Sequence, residues 1–349
     1  MGITNKITTQ EKKDFVKTWA LLIKTGNPIN ETLEILSKQI RSPIFKETLK
    51  KAKERTEKGT PIHQVFEENP HFEKAFASFI RAGEESGSLS KTLQHLIDWL
   101  ERKNNLEKDI SSATLYPKII IIFAFLLGGG LTFFVLPKLT PIFASLGINL
   151  PLVSRILLYS SQFIQNNGVV VVIGFLFFIL FIYFLSKIKK IRDSFDYFVL
   201  KIPVVGELVS LYQLTIISQL ISTLFESGLM VTEIIDITIE STSNKAYKDS
   251  LEEVKEKIIK GDPFSRALSV YPNLYPSIYI SIITTGEETG SFTESFKYLA
   301  DFFSSAITEK TKKIPVVLEP MILIFIGLFV AFVASAIILP IYQVTQGLY

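Results

Sequence analysis

Three stretches without a single charged residue, Ile119–Leu136, Gly168–Leu185 and Pro320–Leu339, limit what this chain can fold into more than any other feature of its sequence. A helix crossing a hydrocarbon core of roughly 30 Å needs about 18 to 20 apolar residues. Each stretch has that length, so three transmembrane helices are expected. The ten residues from Met1 are polar, which predicts neither a secretory signal nor a transit peptide. The spans read as internal anchors.

Charge gives the orientation. Of 37 Lys and Arg, 20 lie in residues 1–118, two between the first two spans, 15 in 186–315, and none after Pro320. Basic residues collect on the cytoplasmic side, most reliably beside the spans. Lys187, Lys189, Lys190 and Arg192 follow the second run, and Lys310, Lys312 and Lys313 precede the third. Both large polar segments are therefore expected in the cytoplasm. The 34 Asp and Glu nearly balance the basic residues, which argues against direct binding of nucleic acid. The absence of cysteine excludes disulfides, thiolate metal sites and cysteine nucleophiles.

The sequence is duplicated. Gly83-Glu84-Glu85-Ser86-Gly87-Ser88-Leu89 recurs as Gly286-Glu287-Glu288-Thr289-Gly290-Ser291-Phe292, 203 residues on, and the same offset maps Pro117 onto Pro320 and Pro137 onto Pro340. Upstream, an offset of 202 pairs Gly26 with Gly228, Gly59 with Gly261, Pro61 with Pro263 and Pro70 with Pro272. The repeated unit is a cytoplasmic domain followed by an exit helix. Two copies that both begin inside and end outside need one returning helix between them, which is the role left for the second run.

Within each copy the apolar residues recur at helical steps. Phe15, Val16, Trp19, Leu22 and Ile23 share one face, as do Leu33, Leu36 and Ile40. Gly26 with Asn27-Pro28 predicts a helix end and turn, Asn30 the cap of the next helix, and Thr232 the same place in the second copy. Gly59 and Gly261 close charged helices over 50–58 and 248–260. The expected fold is an all-α membrane protein with two repeated cytoplasmic bundles of about six helices and three transmembrane helices. The expected organisation is a polar segment at 1–14, a first bundle at 15–117, a span at 118–136, an outside loop at 137–167, a span at 168–185, a second bundle at 186–315, a span at 316–339 and an outside tail at 340–349.

Candidate site residues come from the duplicated motif: Gly83, Glu84, Glu85 and Gly87, with Gly286, Glu287, Glu288 and Gly290. Gly83 and Gly286 are expected to end a helix in a left-handed conformation, and Ser88 and Ser291 to cap the next, with Glu294 completing a capping box in the second copy. Three roles stay open for the glutamates: satisfying backbone groups and pairing with Lys or Arg, docking a partner, or binding a cation. Glu319 and Pro320 form a second candidate, an acidic residue at the cytoplasmic edge of the third run, where the first copy has Tyr116. Glu319 reads either as a helix N-terminus charge near Lys312 and Lys313, or as a carboxylate working at the membrane edge.

The motif Arg81-Ala82-Gly83-Glu84-Glu85-Ser86-Gly87-Ser88-Leu89, its second copy, and Leu318-Glu319-Pro320 leading through Gly327 to Leu339-Pro340-Ile341-Tyr342 resemble those of the two-repeat inner-membrane platform proteins of type II secretion, type IV pilus and competence pseudopilus machines. The resemblance covers the chain from Phe15 onward. It implies a multi-pass scaffold of the cell inner membrane, N-terminus cytoplasmic and C-terminus extracytoplasmic. The implied partners are a cytoplasmic hexameric assembly ATPase, pilin or pseudopilin subunits, other inner-membrane platform components, membrane lipid and further copies of itself. The short polar segment before Phe15 is closer to the competence-type branch, and the choice among secretion, pilus and competence stays open.

Enzyme readings lack their motifs. There is no Gly-x-x-x-x-Gly-Lys phosphate loop, and Gly128, Gly129 and Gly130 lie inside an apolar run where close helix packing explains them. His63, His71 and His95 form no metal-binding pattern and read as isolated, aligned by the repeat with Ser265, Asn273 and Tyr298. No catalytic residue and no cofactor is expected. The alternative reading is a small duplicated transporter or channel, disfavoured because the runs carry few polar groups at mid-depth.

Overall fold

The computed structural model of the chain describes residues 7–130 and 188–345, with isolated positions between 138 and 184. The end of the expected first span, most of the expected outside loop and second span, and the end of the tail lie outside the described residues. The described residues are helical, with no strand among them. In the first half the helices are α1 (Thr9–Lys24), α2 (Ile29–Gln39), α3 (Pro43–Glu57), α4 (Ile62–Glu67), α5 (Lys74–Glu85) and α6 (Leu89–Gly130). In the second they are α7 (Lys189–Val199), α8 (Val205–Glu226), α9 (Val231–Ser241), α10 (Lys245–Ile259), α11 (Phe264–Leu268), α12 (Ser277–Thr289) and α13 (Phe292–Thr345).

Helices α1–α6 and α8–α13 correspond one to one at the offsets read from the sequence; α7 belongs to neither set. Two compact units are present, one of residues 1–109 and 193–309, the other of residues 110–192 and 310–349. In the first unit a single buried apolar cluster runs through both copies, from Phe15, Trp19, Leu33 and Phe45 to Ile217, Ile221, Tyr247 and Phe296. The repeat is visible in the core itself. Phe45, Phe72 and Phe76 pack ring on ring in the first copy, and the equivalent positions of the second are Tyr247, Tyr275 and Tyr279. A buried phenol needs a hydrogen-bond partner. Tyr247 donates to the Leu274 carbonyl at 3.0 Å, Tyr275 lies 2.9 Å from Ser250 Oγ, and Tyr279 Oη lies 3.0 Å from Ser218 Oγ.

Local chemistry sets the helix ends. Thr8 and Glu11 form a reciprocal capping box at α1, Thr8 Oγ1 accepting from Glu11 N at 3.1 Å and Glu11 accepting from Thr8 N at 2.9 Å. Gly59 and Gly261 follow α3 and α10 at φ 86° and 93°, a matched pair of turns. The expected caps at Asn30 and Thr232 are corrected: each is the second residue of its helix, and Pro28 and Met230 stand at the cap positions without a side-chain bond.

Two further expectations change. The first bundle is expected to end at 117 and the second at 315, yet α6 runs through Pro117 and α13 runs through Pro315 and Pro320. The last bundle helix and the exit helix are therefore one element in each copy. Helix α13 has 54 residues. Within Phe292–Ser335 an apolar window of 18 residues is long enough to cross a membrane and only 6% of that window is buried, with side chains such as Met321, Phe325 and Leu328 exposed. Helix α8 also holds an apolar window of that length, but 67% of the window is buried. Its Ser218, Gln219 and Ser222 explain the difference, since each makes a side-chain hydrogen bond to another part of the unit. It is a core helix.

Candidate functional site

In both copies the duplicated motif bends the chain at a different glycine from the one expected. Gly83 and Gly286 lie inside α5 and α12, and the left-handed residues are Gly87 at φ 66° and Gly290 at φ 71°. The second glycine of the motif supplies the turn because a side chain at positive φ is strained. The first is required for another reason. A Cβ on Gly83 would lie 2.1 Å from Thr92 Oγ1 and 2.8 Å from Leu89 Cα, and one on Gly286 would lie 2.3 Å from Ser295 Oγ. Each marks the point where a helix and the long helix that follows it touch.

The expected serine caps also take another form. Ser88 Oγ lies 2.6 Å from Ser86 Oγ, and Ser291 Oγ lies 2.6 Å from Thr289 Oγ1, so these hydroxyls pair across the turn. Glu294 sits in the first turn of α13, where its charge suits the helix dipole.

The two glutamates of the motif separate. The Glu84 carboxylate accepts from the backbone N–H groups of Ile62 at 2.8 Å and His63 at 3.0 Å, the first residues of α4. Glu287 does the same for α11, accepting from Phe264 N at 2.6 Å and Ser265 N at 3.1 Å. These helices begin after Pro61 and Pro263, which offer no capping side chain. A carboxylate brought from a distant helix fills the vacancy, satisfying orphan donors at the positive end of the dipole. His63, expected to be isolated, is corrected: its Nδ1 lies 2.6 Å from Glu84 Oε2, and its repeat partner Ser265 donates Oγ–H to Glu287 at 2.6 Å. Glu85 and Glu288 are exposed. Among the described residues no group of three or more His, Asp or Glu is arranged to hold a metal ion.

This separation predicts different outcomes for neighbouring residues. Glu84→Ala and Glu287→Ala should each cost about 1 to 3 kcal/mol, as for a lost charged cap that leaves buried donors unpaired. Glu85→Gln and Glu288→Gln should stay within about 0.5 kcal/mol of the parent. Urea melts of the detergent-solubilised chain, followed by the fluorescence of buried Trp19 and Trp99, read both. Equal losses at all four positions would contradict the separation.

Arg81, the first residue of the motif, reaches into the other copy and pairs with Glu233 on α9. Lys74 lies 3.7 Å from Glu240, Ala75 N donates to Ser241 Oγ at 3.2 Å, and a cleft of about 310 Å³ between α5 and α9 is lined by Lys74, Arg81, Asp236 and Glu240 among others. His95, also expected to be isolated, lies 3.4 Å from Glu226 of the second copy. Sequence spacing carries no signal for such pairs, because they join residues more than 100 positions apart.

A third arrangement escaped the sequence reading altogether. Glu73 lies 2.7 Å from Lys12 Nζ and 2.9 Å from Lys103 Nζ, with Lys12 side chain 5% exposed and Lys103 14%. Burial alone would raise the Glu73 carboxyl, but the charges of Lys103 and Lys12 outweigh it and bring its pKa down to about 2. The equivalent positions of the second copy are Leu214, Pro276 and Ala306, so the repeat gives no hint of it.

The chain matches the type II secretion system protein F family twice, over residues 15–137 and 217–340. The chain belongs to that family. In protein F terms the two matches begin 202 residues apart and end 203 apart, the offsets read directly from the glycines and prolines. Similar proteins include the type IV pilus assembly protein PilC of Thermus thermophilus, 28% identical over 95% of this chain and 81% of its own. PilC of Pseudomonas aeruginosa is 24% identical over 98% of this chain and 92% of its own. The type II secretion system protein F of Vibrio cholerae is 24% identical over 75% of this chain and 65% of its own. Glu319 and Pro320 of this family member lie in the second match and within α13, both exposed. The helix begins 27 residues before Glu319, so its expected role as a helix N-terminus charge is corrected. The dipole acts only within the first turn.

Proposed function

We propose that this chain is the inner-membrane platform of a type II secretion or type IV pilus-like fibre assembly machine. It couples a cytoplasmic assembly ATPase to the insertion of pilin or pseudopilin subunits. The observation that carries this reading is the family match in both halves, together with relatives named for type IV pilus assembly. The helical mass of the first unit, with no phosphate loop in the sequence, supports a scaffold that transmits work done by another protein.

In this reading the bundles at 15–117 and 186–315 face the cytoplasm, the spans lie at 118–136, 168–185 and 316–339, and the loop at 137–167 and tail at 340–349 lie outside. The distribution of Lys and Arg supports that orientation. Because the chain lacks cysteine, single cysteines at Ser145, Ser88 and Ser291 test it. A membrane-impermeant thiol reagent applied to intact cells should label only Ser145→Cys. Labelling at Ser291→Cys would reverse the second copy and end the parity argument.

Glu85 and Glu288, exposed and not used by the caps, are the surface residues of the motif proposed for docking. Glu319 is proposed to help a pilin-like transmembrane helix enter or leave the bilayer, since an ionisable group beside a span is costly to keep. In a host deleted for this chain, fibre output should be lost and restored by the parent sequence. Glu319→Gln should accumulate normally and restore little fibre. Normal fibre in the deletion host would defeat the proposed function, and full rescue by Glu319→Gln would defeat the role of that carboxylate.

A further inference from the structure

Helix α7 faces the wrong way for a surface helix of a soluble domain. Ile191, Phe195 and Phe198, with Ile188 immediately before the helix, recur at three- and four-residue steps, which places them on one stripe about 80° wide. All four are exposed, at 49%, 39%, 58% and 58%. The opposite side is the one bound to protein. Asp196 accepts from Lys245 N through Oδ2 at 3.0 Å and from Asn244 Nδ2 through its carbonyl at 3.3 Å, and Tyr197 donates its hydroxyl to Asp249 at 2.7 Å. Ordinarily the apolar stripe packs inward and the polar face meets water. Here polar residues hold the helix to the N-terminal end of α10 and the apolar stripe points outward.

The surroundings of α7 select what covers that stripe. The apolar run 168–185 ends four residues before it, and Lys187, Lys189, Lys190 and Arg192 open the segment while Lys201 follows it. A helix with aromatic and aliphatic residues on one face and basic residues around it is built for an anionic lipid surface. It also lies outside both stretches matched by the family, 15–137 and 217–340, so the repeated bundle itself does not call for it.

We infer that α7 is an interfacial helix whose Ile191, Phe195 and Phe198, with Ile188 just before it, enter the boundary between lipid headgroups and acyl chains while its basic residues meet anionic headgroup phosphates. The inference rests on the chain being inserted in a membrane, and goes beyond it by committing this helix to the lipid surface. It makes α7 a strap: through Asp196 and Tyr197 it ties α10 of the second bundle to the bilayer surface.

The full chain, purified and reconstituted in vesicles of phosphatidylethanolamine and phosphatidylglycerol, tests this. Phe195→Cys, Phe198→Cys, Lys51→Cys and Leu323→Cys variants each carry one environment-sensitive fluorophore. The labels at 195 and 198 should shift to the blue and lose emission to a lipid-borne quencher placed near the headgroups, more than to one placed deep. Label 51 should emit as in water, and label 323 should be quenched as a membrane segment. Exchanging phosphatidylglycerol for phosphatidylcholine should weaken quenching at 195 and 198 and leave 323 unchanged. Water-like emission at 195 and 198 with 323 quenched would overturn the inference while leaving insertion intact. A blue shift without lipid quenching would also overturn it, since protein would then cover the stripe. No quenching at 323 would remove insertion and the inference together.

Discussion

Glu73→Gln is expected to destabilise the first unit by about 3 to 5 kcal/mol, the usual cost of breaking a buried ion pair from one side. Lys12 and Lys103 would be left charged, 5% and 14% exposed, with their shared carboxylate gone. The urea midpoint read by tryptophan fluorescence should fall accordingly. Replacing all three residues together, with Glu73→Leu, Lys12→Leu and Lys103→Met, should recover most of the loss, because apolar residues of similar volume have no unpaired charge to solvate. A triple variant as unstable as Glu73→Gln would mean that the site needs its charges for shape.

The same carboxylate sets an acid limb. Its pKa is lowered to about 2 in the folded chain, from an ordinary 4.5. A depressed carboxyl stabilises the fold fully above its unfolded value and progressively less as pH falls toward its folded one. Stability of about 3 kcal/mol should therefore be present above pH 4.5 and vanish by about pH 2. Glu73→Gln should lack that part of the acid limb.

The second large effect is expected at Gly83. Gly83→Val should cost about 3 kcal/mol or more, at the upper end of overpacking, because the added Cβ meets Leu89 Cα at 2.8 Å and only a backbone movement of α6 relieves it. Gly286→Val is expected to cost a comparable amount: Ser295 Oγ at 2.3 Å can turn away about χ1, but Ser295 Cβ at 2.8 Å moves only with the backbone of α13. Gly129→Ala, where nothing lies within 4 Å, serves as the control and should be close to neutral. A near-neutral Gly286→Val beside a damaging Gly83→Val would show that α13 gives way at its contact where α6 does not.

The duplication was legible because turns repeat their chemistry: Gly26 and Gly228, and Gly59 and Gly261, all take positive φ, and glycine is the residue that does so without strain. Helical faces were legible for a similar reason. Phe15, Val16 and Trp19 are buried together because a period of 3.6 puts them on one side of α1. The motif Gly-Glu-Glu-x-Gly is legible, but its turn falls at the second glycine and not the first, and nothing local separates its two glutamates. Its length fits a helix end at either glycine, and only the position of α6 and α13 shows which glycine turns and which is crowded.

The sequence by itself determined the all-helical repeats, their offsets and the places where chain direction changes, since these depend on residues close together along the chain. Tertiary structure alone decided what depends on the meeting of distant elements. Glu84 reaches across 22 residues to cap α4, Arg81 finds Glu233 in the other copy, and Glu73 gathers lysines from α1 and α6. It also decided that prolines at 117, 315 and 320 do not divide their helices, and that Glu319 lies far from a helix end. A local pattern fixes which face of a helix is apolar; the partner of that face is set by the packing of the whole unit, as the outward stripe of α7 and the buried one of α8 make plain.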